Sequence, residues 1–491
     1  MRATLNFLAF DLGAESGRAI LGRYDGERLA VEEAHRFPNG PVRVFDSLHW
    51  DALRLFDEMK KGLAEASRRA GALAAVGVDA WGVDYGLLGP DGALLENPFH
   101  YRDPRTNGVM EKLFAVAPRG EVFERSGTQF MQLNTLYQLY ATRLARPHLL
   151  DRADRLLMMP DLFHYWLSGR ASSETTIAST TQFYDPRAGA WARDLFRKLD
   201  LPERILPELV APGTALGPLL SSVQADTGVG PIPVVTPASH DTGSAVAAVP
   251  AQGDGWAFLS SGTWSLLGAE TKAPLINPAT LAANFTNEAG AWGTTRLLKN
   301  ISGLWLLEEC RREWARQGYR AGYDELCAAA LGSEPFEAIL NPDEPAFLSP
   351  GEMPGKIAEF CRRTGQRAPC GPGAMTRAIF ESLALAYRAV LETLAGFLGQ
   401  PIRTLHIVGG GARNAMLCQF TADATGARVV AGPEEATSIG NLLLQAMALG
   451  HLRTPEEARE LVRRSFQPRA YEPGPRAGWD EAAARRSQLG I

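Results

Sequence analysis

The 491-residue sequence predicts an α/β protein built from two lobes with a duplicated fold. The opening residues read as strand, glycine-bearing turn, strand and strand, and an amphipathic helix then leads into a buried strand. The run LSSGTWSLL at 259–267 repeats the hairpin pattern of AFDLGAESG at 9–17. Aligning their glycines pairs Gly13 with Gly262 and Ser16 with Ser265. Two lobes that open with the same hairpin are expected from a duplicated domain.

The first lobe is predicted to span residues 1–244. Strands are expected at 6–11, 18–24, 29–37, 74–78 and 233–236. A helix is expected after Asp51, a residue type that commonly caps helices. Its apolar face is predicted from residues that recur at helical spacing, namely Leu53, Phe56, Met59 and Leu63. Residues 100–200 are predicted to be mainly helical and rich in aromatic side chains.

The second lobe is predicted to span residues 245–465, followed by a C-terminal tail at 466–491. Its expected elements are a long helix around 379–397, a strand at 404–408 and a helical region that begins near Glu434. The tail is predicted to be helical from Asp480 to Gln488.

Composition and charge exclude several classes of protein. Fifty Lys and Arg against 55 Asp and Glu give a formal net charge of −5, which disfavours a nucleic-acid partner. No apolar run is long enough for a spanning helix, and Asp11 interrupts the apolar N-terminus, so neither a membrane protein nor a secretory signal is expected. The five cysteines form no CxxC pair, which predicts a reduced, cytoplasmic protein without structural zinc. The oligomeric state is not indicated.

Three glycine-rich segments could bind a nucleotide. In DLGAESGR a strand ends at Asp11 and backbone N–H groups of the following turn can face one anion, while Asp11 could hold Mg²⁺ through water. SSGTWS at 260–265 offers hydroxyls and amides to a second phosphate position. HIVGGGARN at 406–414 lets the backbone approach a ring or a ribose. Each alone could be an ordinary turn, but the set in this order favours a phosphate-binding protein.

Two further segments could carry a sugar and the chemistry. In ASHDTGSA at 238–245, Asp241 follows a strand and could accept a proton from a hydroxyl as it attacks a phosphoryl group, or it could simply cap the next helix. In VDAWGVDYGLL at 78–88, Trp81 could stack on a sugar with Asp79 or Asp84 accepting hydroxyl protons. The alternative for Trp81 is ordinary packing.

Together these segments resemble the FGGY family of carbohydrate kinases, within the actin-like ATPase superfamily. The likeness also includes YRDPRTNG, NTLYQL, LAANFTNE and LLKNISGLWLL, and it covers residues 5 to about 450. It implies a two-lobed, ribonuclease H-like fold with a central cleft.

The resemblance assigns roles to individual residues. Asp241 would be the proton acceptor. The sugar would contact Asp241 together with Gly82, His240, Thr242 and Asn300. The nucleotide would lie against Ala14, Glu15, Ser16, Gly17, Arg18, Thr263, Glu308 and Gly410. At Glu308 the family usually has glutamine, and an ionised carboxylate cannot donate a hydrogen bond to the nucleotide.

The implied activity is an ATP- and Mg²⁺-dependent transfer of the γ-phosphoryl group to O1 of L-rhamnulose, giving L-rhamnulose 1-phosphate and ADP in rhamnose metabolism. The alternatives are a kinase for another ketose, such as L-fuculose, and a catalytically silent sugar- or nucleotide-binding module. One hydroxyl epimer separates the two ketoses, and the sequence does not place the contacts that would distinguish them.

Overall fold

The computed structural model describes residues 4–491, which divide into two compact units. The first unit contains the chain up to Pro250 together with Glu270–Leu297 and Glu435–Phe466. The second contains Ala251–Ala269, Leu298–Glu434 and Gln467–Ile491. Neither unit is one continuous stretch of chain. The lobe boundary near residue 245 stays a prediction.

The strands are numbered along the chain. They are β1 Leu5–Leu12, β2 Ser16–Tyr24, β3 Leu29–Pro38, β4 Val42–Val44, β5 Ser47–His49, β6 Ala75–Ala80, β7 Tyr85–Leu88, β8 Arg155–Met158, β9 Ser173–Glu174, β10 Tyr184–Asp185, β11 Ala190–Trp191, β12 Leu209–Val210, β13 Thr214–Pro218, β14 Pro233–Thr236, β15 Trp256–Ser261, β16 Trp264–Thr271, β17 Thr286–Ala289, β18 Thr295–Ser302, β19 Thr404–Val408, β20 Arg428–Ala431 and β21 Arg469–Tyr471.

The α-helices are numbered in the same way. They are α1 Ala52–Ala70, α2 Val109–Phe114, α3 Arg119–Ser126, α4 Thr135–Ala145, α5 Pro147–Arg152, α6 Met159–Ser168, α7 Thr175–Ala178, α8 Arg193–Lys198, α9 Ser221–Thr227, α10 Asp241–Ala247, α11 Pro278–Ala282, α12 Trp305–Arg316, α13 Tyr323–Leu331, α14 Met353–Arg363, α15 Gly371–Leu398, α16 Ala415–Thr425, α17 Ala436–Ala448, α18 Pro455–Ser465 and α19 Ala477–Gln488.

The first unit is organised around a six-stranded sheet in the order β13-β14-β6-β1-β2-β3. Strands β1, β2 and β3 pair antiparallel in sequence, whereas β6 lies parallel to both β1 and β14. The five strands predicted for this lobe are all present. Because β1, β6 and β14 run in the same direction, their carboxyl ends meet at one edge of the sheet.

The second unit repeats this arrangement. Its strands β18, β16, β15, β19, β20 and β21 follow one another in the sheet, in the places that β3, β2, β1, β6, β14 and β13 take in the first. Strand β15 is antiparallel to β16 and parallel to β19, and β20 is parallel to β19 and antiparallel to β21. The duplicated α/β fold predicted from the two glycine-turn hairpins is confirmed.

Helix α1 covers the first sheet, and the side chain of Asp51 caps it by accepting a hydrogen bond from the backbone N–H of Arg54. Leu55, Met59 and Leu63 are buried, as expected for an amphipathic helix. Leu53 is 63 % exposed, so its predicted place on the apolar face is wrong. The buried face follows Leu55 and Met59 at a spacing of four, and Leu53 lies in the first turn away from that face.

The middle of the first unit is helical, as predicted, and its core contains many aromatic side chains, among them Phe123, Tyr137, Phe183 and Phe196. The C-terminal tail ends in α19, which packs Trp479 and Ala482 against Phe336 and Phe420. The helix predicted there is confirmed and begins three residues earlier, at Ala477. Within residues 4–491 no helix is both long and apolar enough to cross a membrane.

Candidate active site

Three carboxylates lie at the carboxyl ends of neighbouring parallel strands in the first unit. Asp11 on β1 and Asp79 on β6 are direct partners in the strand register. Asp241 begins α10 just after β14, and His240 beside it forms a parallel bridge with Ala80 of β6. Residues that are more than 60 positions apart in sequence therefore converge at one edge of the sheet.

Asp241 is the most accessible of the three. Its side chain is 32 % exposed, against 9 % for Asp11, while Asp79 is completely buried. Oδ1 of Asp241 accepts hydrogen bonds from the backbone N–H of Thr242 at 2.5 Å and from its hydroxyl at 3.2 Å. Burial raises the pKa of Asp241; a protonated His240 would lower it, and the charge of Asp11 raises it further. The arrangement is that of a carboxylate with raised basicity and an open side, which can accept a proton.

The loop that carries Asp241 is held by the buried side chains of Glu174 and Thr176. Oε2 of Glu174 accepts from the backbone N–H of Ser239 at 2.8 Å, and the Thr176 hydroxyl accepts from the backbone N–H of His240 at 3.1 Å. These contacts hold the backbone between the end of β14 and the start of α10.

His240 lies between Asp241 and a buried ion pair. Its Nε2 is 3.4 Å from Oδ1 of Asp241, and its Nδ1 is 3.2 Å from both Oε2 of Glu288 and Nη2 of Arg296. Arg296 and Glu288 are 3.1 Å apart. Burial alone would raise the pKa of Glu288, but the charge of Arg296, and that of His240 when protonated, outweigh it and lower the pKa. His240 thus contacts both the candidate base and the buried ion pair.

Arg18 forms ion pairs with both Asp11 and Glu435. Burial lowers the pKa of Arg18, and the two carboxylates more than offset this, so its pKa is raised. Arg18 lies on β2, directly opposite Asp11 in the hairpin register. The hairpin predicted to bind phosphate thus carries a permanently charged guanidinium at its base.

The turn of this hairpin is closed by a hydrogen bond of 2.9 Å from the N–H of Gly13 to the carbonyl of Ser16. Ala14, Glu15 and Ser16 are partly exposed at its tip, where they could meet a ligand. Gly17 is buried, and a Cβ there would lie 2.2 Å from the ring of Phe37. Packing against Phe37 therefore requires glycine at position 17.

Asp79 is held by a chain of amides from α17. Asn441 Nδ2 donates to Oδ2 of Asp79 at 2.6 Å, and Gln445 Nε2 donates both to Oδ1 of Asn441 at 2.7 Å and to the carbonyl of Leu8 at 2.8 Å. Burial, followed by the charge of Asp11, raises the pKa of Asp79 well above its usual range, against the hydrogen bond from Asn441. Ser438 on the same helix donates to Asp11 at 3.2 Å.

Trp81 is packed, which is the alternative considered for it, and Asp84 is packed beside it. Asp84 is completely buried and accepts from the indole N–H groups of Trp50 at 2.6 Å and Trp81 at 3.1 Å, and from Gln138 at 2.8 Å. Burial raises the pKa of Asp84 to about 6, with these hydrogen bonds opposing the rise. Neither Asp79 nor Asp84 is exposed to accept protons from a sugar hydroxyl, so that interpretation is wrong.

Gly82 lies next to this cluster, and a Cβ there would lie 3.2 Å from the side chain of Thr180. The Thr180 hydroxyl accepts from the backbone N–H of Val83 at 3.1 Å. Val83 has a φ of 69°, a rare conformation for a β-branched residue, which indicates that the surrounding contacts constrain the turn.

In the second unit the predicted phosphate hairpin and the triple glycine lie together. A Cβ on Gly411 would be 2.0 Å from Oγ of Ser261, and one on Gly409 would be 3.0 Å from the Ser261 carbonyl. Thr263 lies in the turn of the hairpin and Gly410 lies in the glycine segment, and these two segments meet at this close approach. Gly410 is exposed. The absence of side chains at the glycines is what allows the backbones to meet.

The other two predicted residues of the second unit lie on β18 and α12. Asn300 is partly exposed near the end of β18. Glu308, in the first turn of α12, accepts hydrogen bonds from Tyr323 at 2.6 Å and from Arg311 at 2.8 Å. The carboxylate that replaces the glutamine expected there is thus already paired within the protein.

Sequence reasoning missed several residues of the site. They are Glu435, Ser438, Asn441 and Gln445 at the start and on one face of α17, together with Glu288 and Arg296 on two short strands. The first four residues are separated by three, three and four positions, a spacing that indicates one face of a helix.

The carboxylates of this site can bind Mg²⁺ only together with oxygen atoms of a bound ligand. Within residues 4–491, no group of three or more His, Cys, Asp or Glu side chains is arranged to hold a metal ion. Oδ1 of Asp79 is buried without a hydrogen-bond partner beside Asp11, and carboxylate oxygens are the donors that Mg²⁺ prefers. Mg²⁺ commonly binds through one or two carboxylates, waters and substrate phosphates, and the residues present fit that mode.

Comparison with known proteins identifies a family over nearly the whole chain. The N-terminal domain of the FGGY family of carbohydrate kinases matches residues 6–248, and its C-terminal domain matches residues 257–449.

Among curated relatives, the rhamnulokinase of Bacteroides thetaiotaomicron is 47 % identical over 477 residues, covering 97 % of this chain and 98 % of that protein. The rhamnulokinase of Lactiplantibacillus plantarum is 39 % identical and covers 95 % of each chain. Among solved structures, the gluconate kinase from Lactobacillus acidophilus superposes with a TM-score of 0.79 at 16 % identity, covering 99 % of this chain and 96 % of that one. This last likeness supports the two-domain sugar-kinase fold.

Proposed function

Because the chain belongs to the FGGY family of carbohydrate kinases, we propose that it transfers the γ-phosphoryl group of ATP to O1 of L-rhamnulose, giving L-rhamnulose 1-phosphate and ADP. The observation that carries the chemistry is Asp241, whose side chain is 32 % exposed and whose pKa is raised. The substrate is favoured by relatives at 38–47 % identity, which are rhamnulokinases.

In this proposal Asp241 accepts the proton of the O1 hydroxyl as that oxygen attacks the phosphoryl group. His240, Thr242, Gly82 and Asn300 contact the sugar. The nucleotide contacts Ala14 to Arg18 of the phosphate hairpin, and the same role is proposed for Thr263, Glu308 and Gly410.

Mg²⁺ would be held mainly by the phosphates of ATP, with Asp11 contacting it through water. When bound, it neutralises phosphate charge that develops during transfer. The ion pair with Arg18 orients Asp11 for that contact. We place the enzyme in the cytoplasm, where ATP is available, which is consistent with five unpaired cysteines.

The test is coupled ADP release with ATP and Mg²⁺ on a panel of L-rhamnulose, L-fuculose, L-ribulose, D-xylulose and glycerol. We expect kcat/KM for L-rhamnulose to exceed the others by about 100-fold, equivalent to about 2.7 kcal/mol of transition-state discrimination. A higher value for another ketose would overturn the substrate and leave the kinase. Sugar binding without ADP release from any substrate would overturn the kinase and favour a silent binding module.

A further inference from the structure

Arg296 is a completely buried cation whose contacts are not explained by packing alone. Its Nε donates to the carbonyl of Ala289 at 3.0 Å, and its Nη2 lies 3.1 Å from Glu288 and 3.2 Å from Nδ1 of His240. Within residues 4–491, its Nη1 is buried without a hydrogen-bond partner. A buried charge with one amino group unsatisfied is costly, so Arg296 is not placed there for stability alone.

The neighbours of His240 decide which ring nitrogen carries the proton. Nδ1 lies between Nη2 of Arg296, which can only donate, and Oε2 of Glu288, which can only accept. At the other end, Nε2 faces Oδ1 of Asp241, an acceptor, at 3.4 Å. Because Nη2 can only donate, its hydrogen bond with Nδ1 requires an unprotonated Nδ1, and its contact with Oε2 of Glu288 is an ion pair at 3.1 Å.

Only the tautomer protonated at Nε2 keeps the hydrogen bond from Arg296 to Nδ1 and also turns an N–H toward Asp241. In it, Nδ1 accepts from Arg296 and the Nε2–H points at Asp241. The opposite tautomer could donate its Nδ1–H to Oε2 of Glu288, but it would lose the hydrogen bond from Arg296 and would set a lone pair against the Asp241 carboxylate. An imidazolium would place a second positive charge 3.2 Å from Nη2 of the buried Arg296.

The Nε2–H tautomer orients the carboxylate of Asp241, the proposed base. Oδ1 of Asp241 accepts two hydrogen bonds from Thr242, and in this tautomer the Nε2–H of His240 lies 3.4 Å from the same oxygen. Oδ2 is left as the oxygen that can take a proton from a substrate hydroxyl. The carboxylate is thereby oriented before the substrate arrives.

We propose that Arg296 is a positioning residue that, paired with Glu288, holds His240 as the Nε2–H tautomer so that His240 fixes Oδ1 of Asp241 and presents Oδ2 to the sugar. The effect on turnover rests on the proposed function, whereas the tautomer does not. The two can therefore fail separately.

The test is ¹⁵N NMR of the full-length chain labelled at histidine, without ligands, with the His240 signals assigned by their loss in His240→Gln. We expect the shifts of an unprotonated Nδ1 and a protonated Nε2 at pH 7.5. An imidazolium or an Nδ1–H signal in the wild type would overturn the proposal, whatever the sugar specificity of the enzyme.

The paired variant Arg296→Met with Glu288→Met removes the donor without leaving a buried charge. We expect its His240 signals to become a tautomer mixture and its kcat for L-rhamnulose to fall about 10- to 100-fold, with KM for ATP unchanged. The matched control is Arg377→Met with Glu381→Met, a partly buried pair in the second unit joined at 2.8 Å, which should change neither. An unchanged His240 spectrum and kcat in the Arg296 pair would also overturn the proposal. Absence of turnover in the wild type, with the expected tautomer, would refute the proposed function alone.

Discussion

At the scale of single residues, Asp241 is suited to act as a base because it lies just after the end of β14, at the start of α10. Its side chain follows the buried end of β14, yet 32 % of it remains exposed. Burial raises its pKa, and Asp11 adds to the rise, so the carboxylate is a better base than one in water while still reachable by a ligand.

Asp241→Asn should lower kcat about 10²- to 10⁴-fold, because an amide cannot accept the hydroxyl proton. In the wild type, kcat/KM should fall as the pH is lowered through the pKa of Asp241, since only the ionised form is a base. That acidic limb should lie above the pKa of about 3.9 for a free aspartate. Steady-state rates of ADP release across pH measure both effects.

The matched control is Asp226→Asn, an exposed carboxylate that pairs with Lys60 at 2.8 Å, which should leave turnover unchanged. Near-normal kcat in Asp241→Asn would remove Asp241 from the mechanism.

A second residue-level prediction concerns the pairing of Asp79 with Asn441. Asn441→Asp places a second carboxylate against a buried one and should destabilise the protein by about 3 kcal/mol. Asp79→Asn alone should cost little, because its amide oxygen can still accept from Asn441. The double variant exchanges donor and acceptor and should recover most of the loss, as measured by urea unfolding. Equal instability of the double variant and Asn441→Asp would show that the two side chains are not coupled.

At the scale of elements, α17 packs closely against α10 and the sheet because glycines lie at these contacts. A Cβ on Gly440 would lie 1.8 Å from the carbonyl oxygen of Ser244 in α10. Gly77 on β6 similarly makes room for Asn441, whose Oδ1 would be 2.7 Å from a Cβ there. The close approach brings the amides of α17 to Asp79 and its serine to Asp11.

Gly440→Ala should therefore destabilise the protein by about 3 kcal/mol or more, because two helices must separate. Gly396→Ala is the matched control, since it is also inside a helix but a Cβ there meets nothing within 4 Å. The control should stabilise by roughly 0.5–1 kcal/mol through helix propensity. Thermal and urea unfolding give both values, and similar effects of the two substitutions would contradict the packing argument.

Local patterns predicted the strands, the two hairpins and the position of Asp241, because each depends on residues close in sequence. They did not predict the polar face of α17, although the spacing of Glu435, Ser438, Asn441 and Gln445 places them near one another. What such a face contacts depends on which strands the fold brings beneath it, and Asp79 is 362 positions away from Asn441. The ion pair of Glu288 and Arg296 was missed for the same reason, since its partner is His240.

At the scale of the whole molecule, the first unit is assembled from three separate stretches of chain. Helix α17, in the last of these, covers β1 and β6, where Gln445 donates to the carbonyl of Leu8 and Asn441 donates to Oδ2 of Asp79. Residues 1–244 alone would leave this face of the sheet bare and Asp79 buried without its donor.

We therefore expect a fragment of residues 1–244 to lack cooperative unfolding, because its apolar sheet face would be exposed to water. A chain that joins residues 1–297 to 435–466 through a flexible Gly/Ser linker contains every stretch of the first unit and should unfold cooperatively. Circular dichroism followed during urea titration distinguishes the two. Cooperative unfolding of 1–244 would instead support a lobe boundary near residue 245 and would show that α17 is not needed to form the first sheet. Failure of the linked chain alone to fold would show that the first unit depends on the second for its stability.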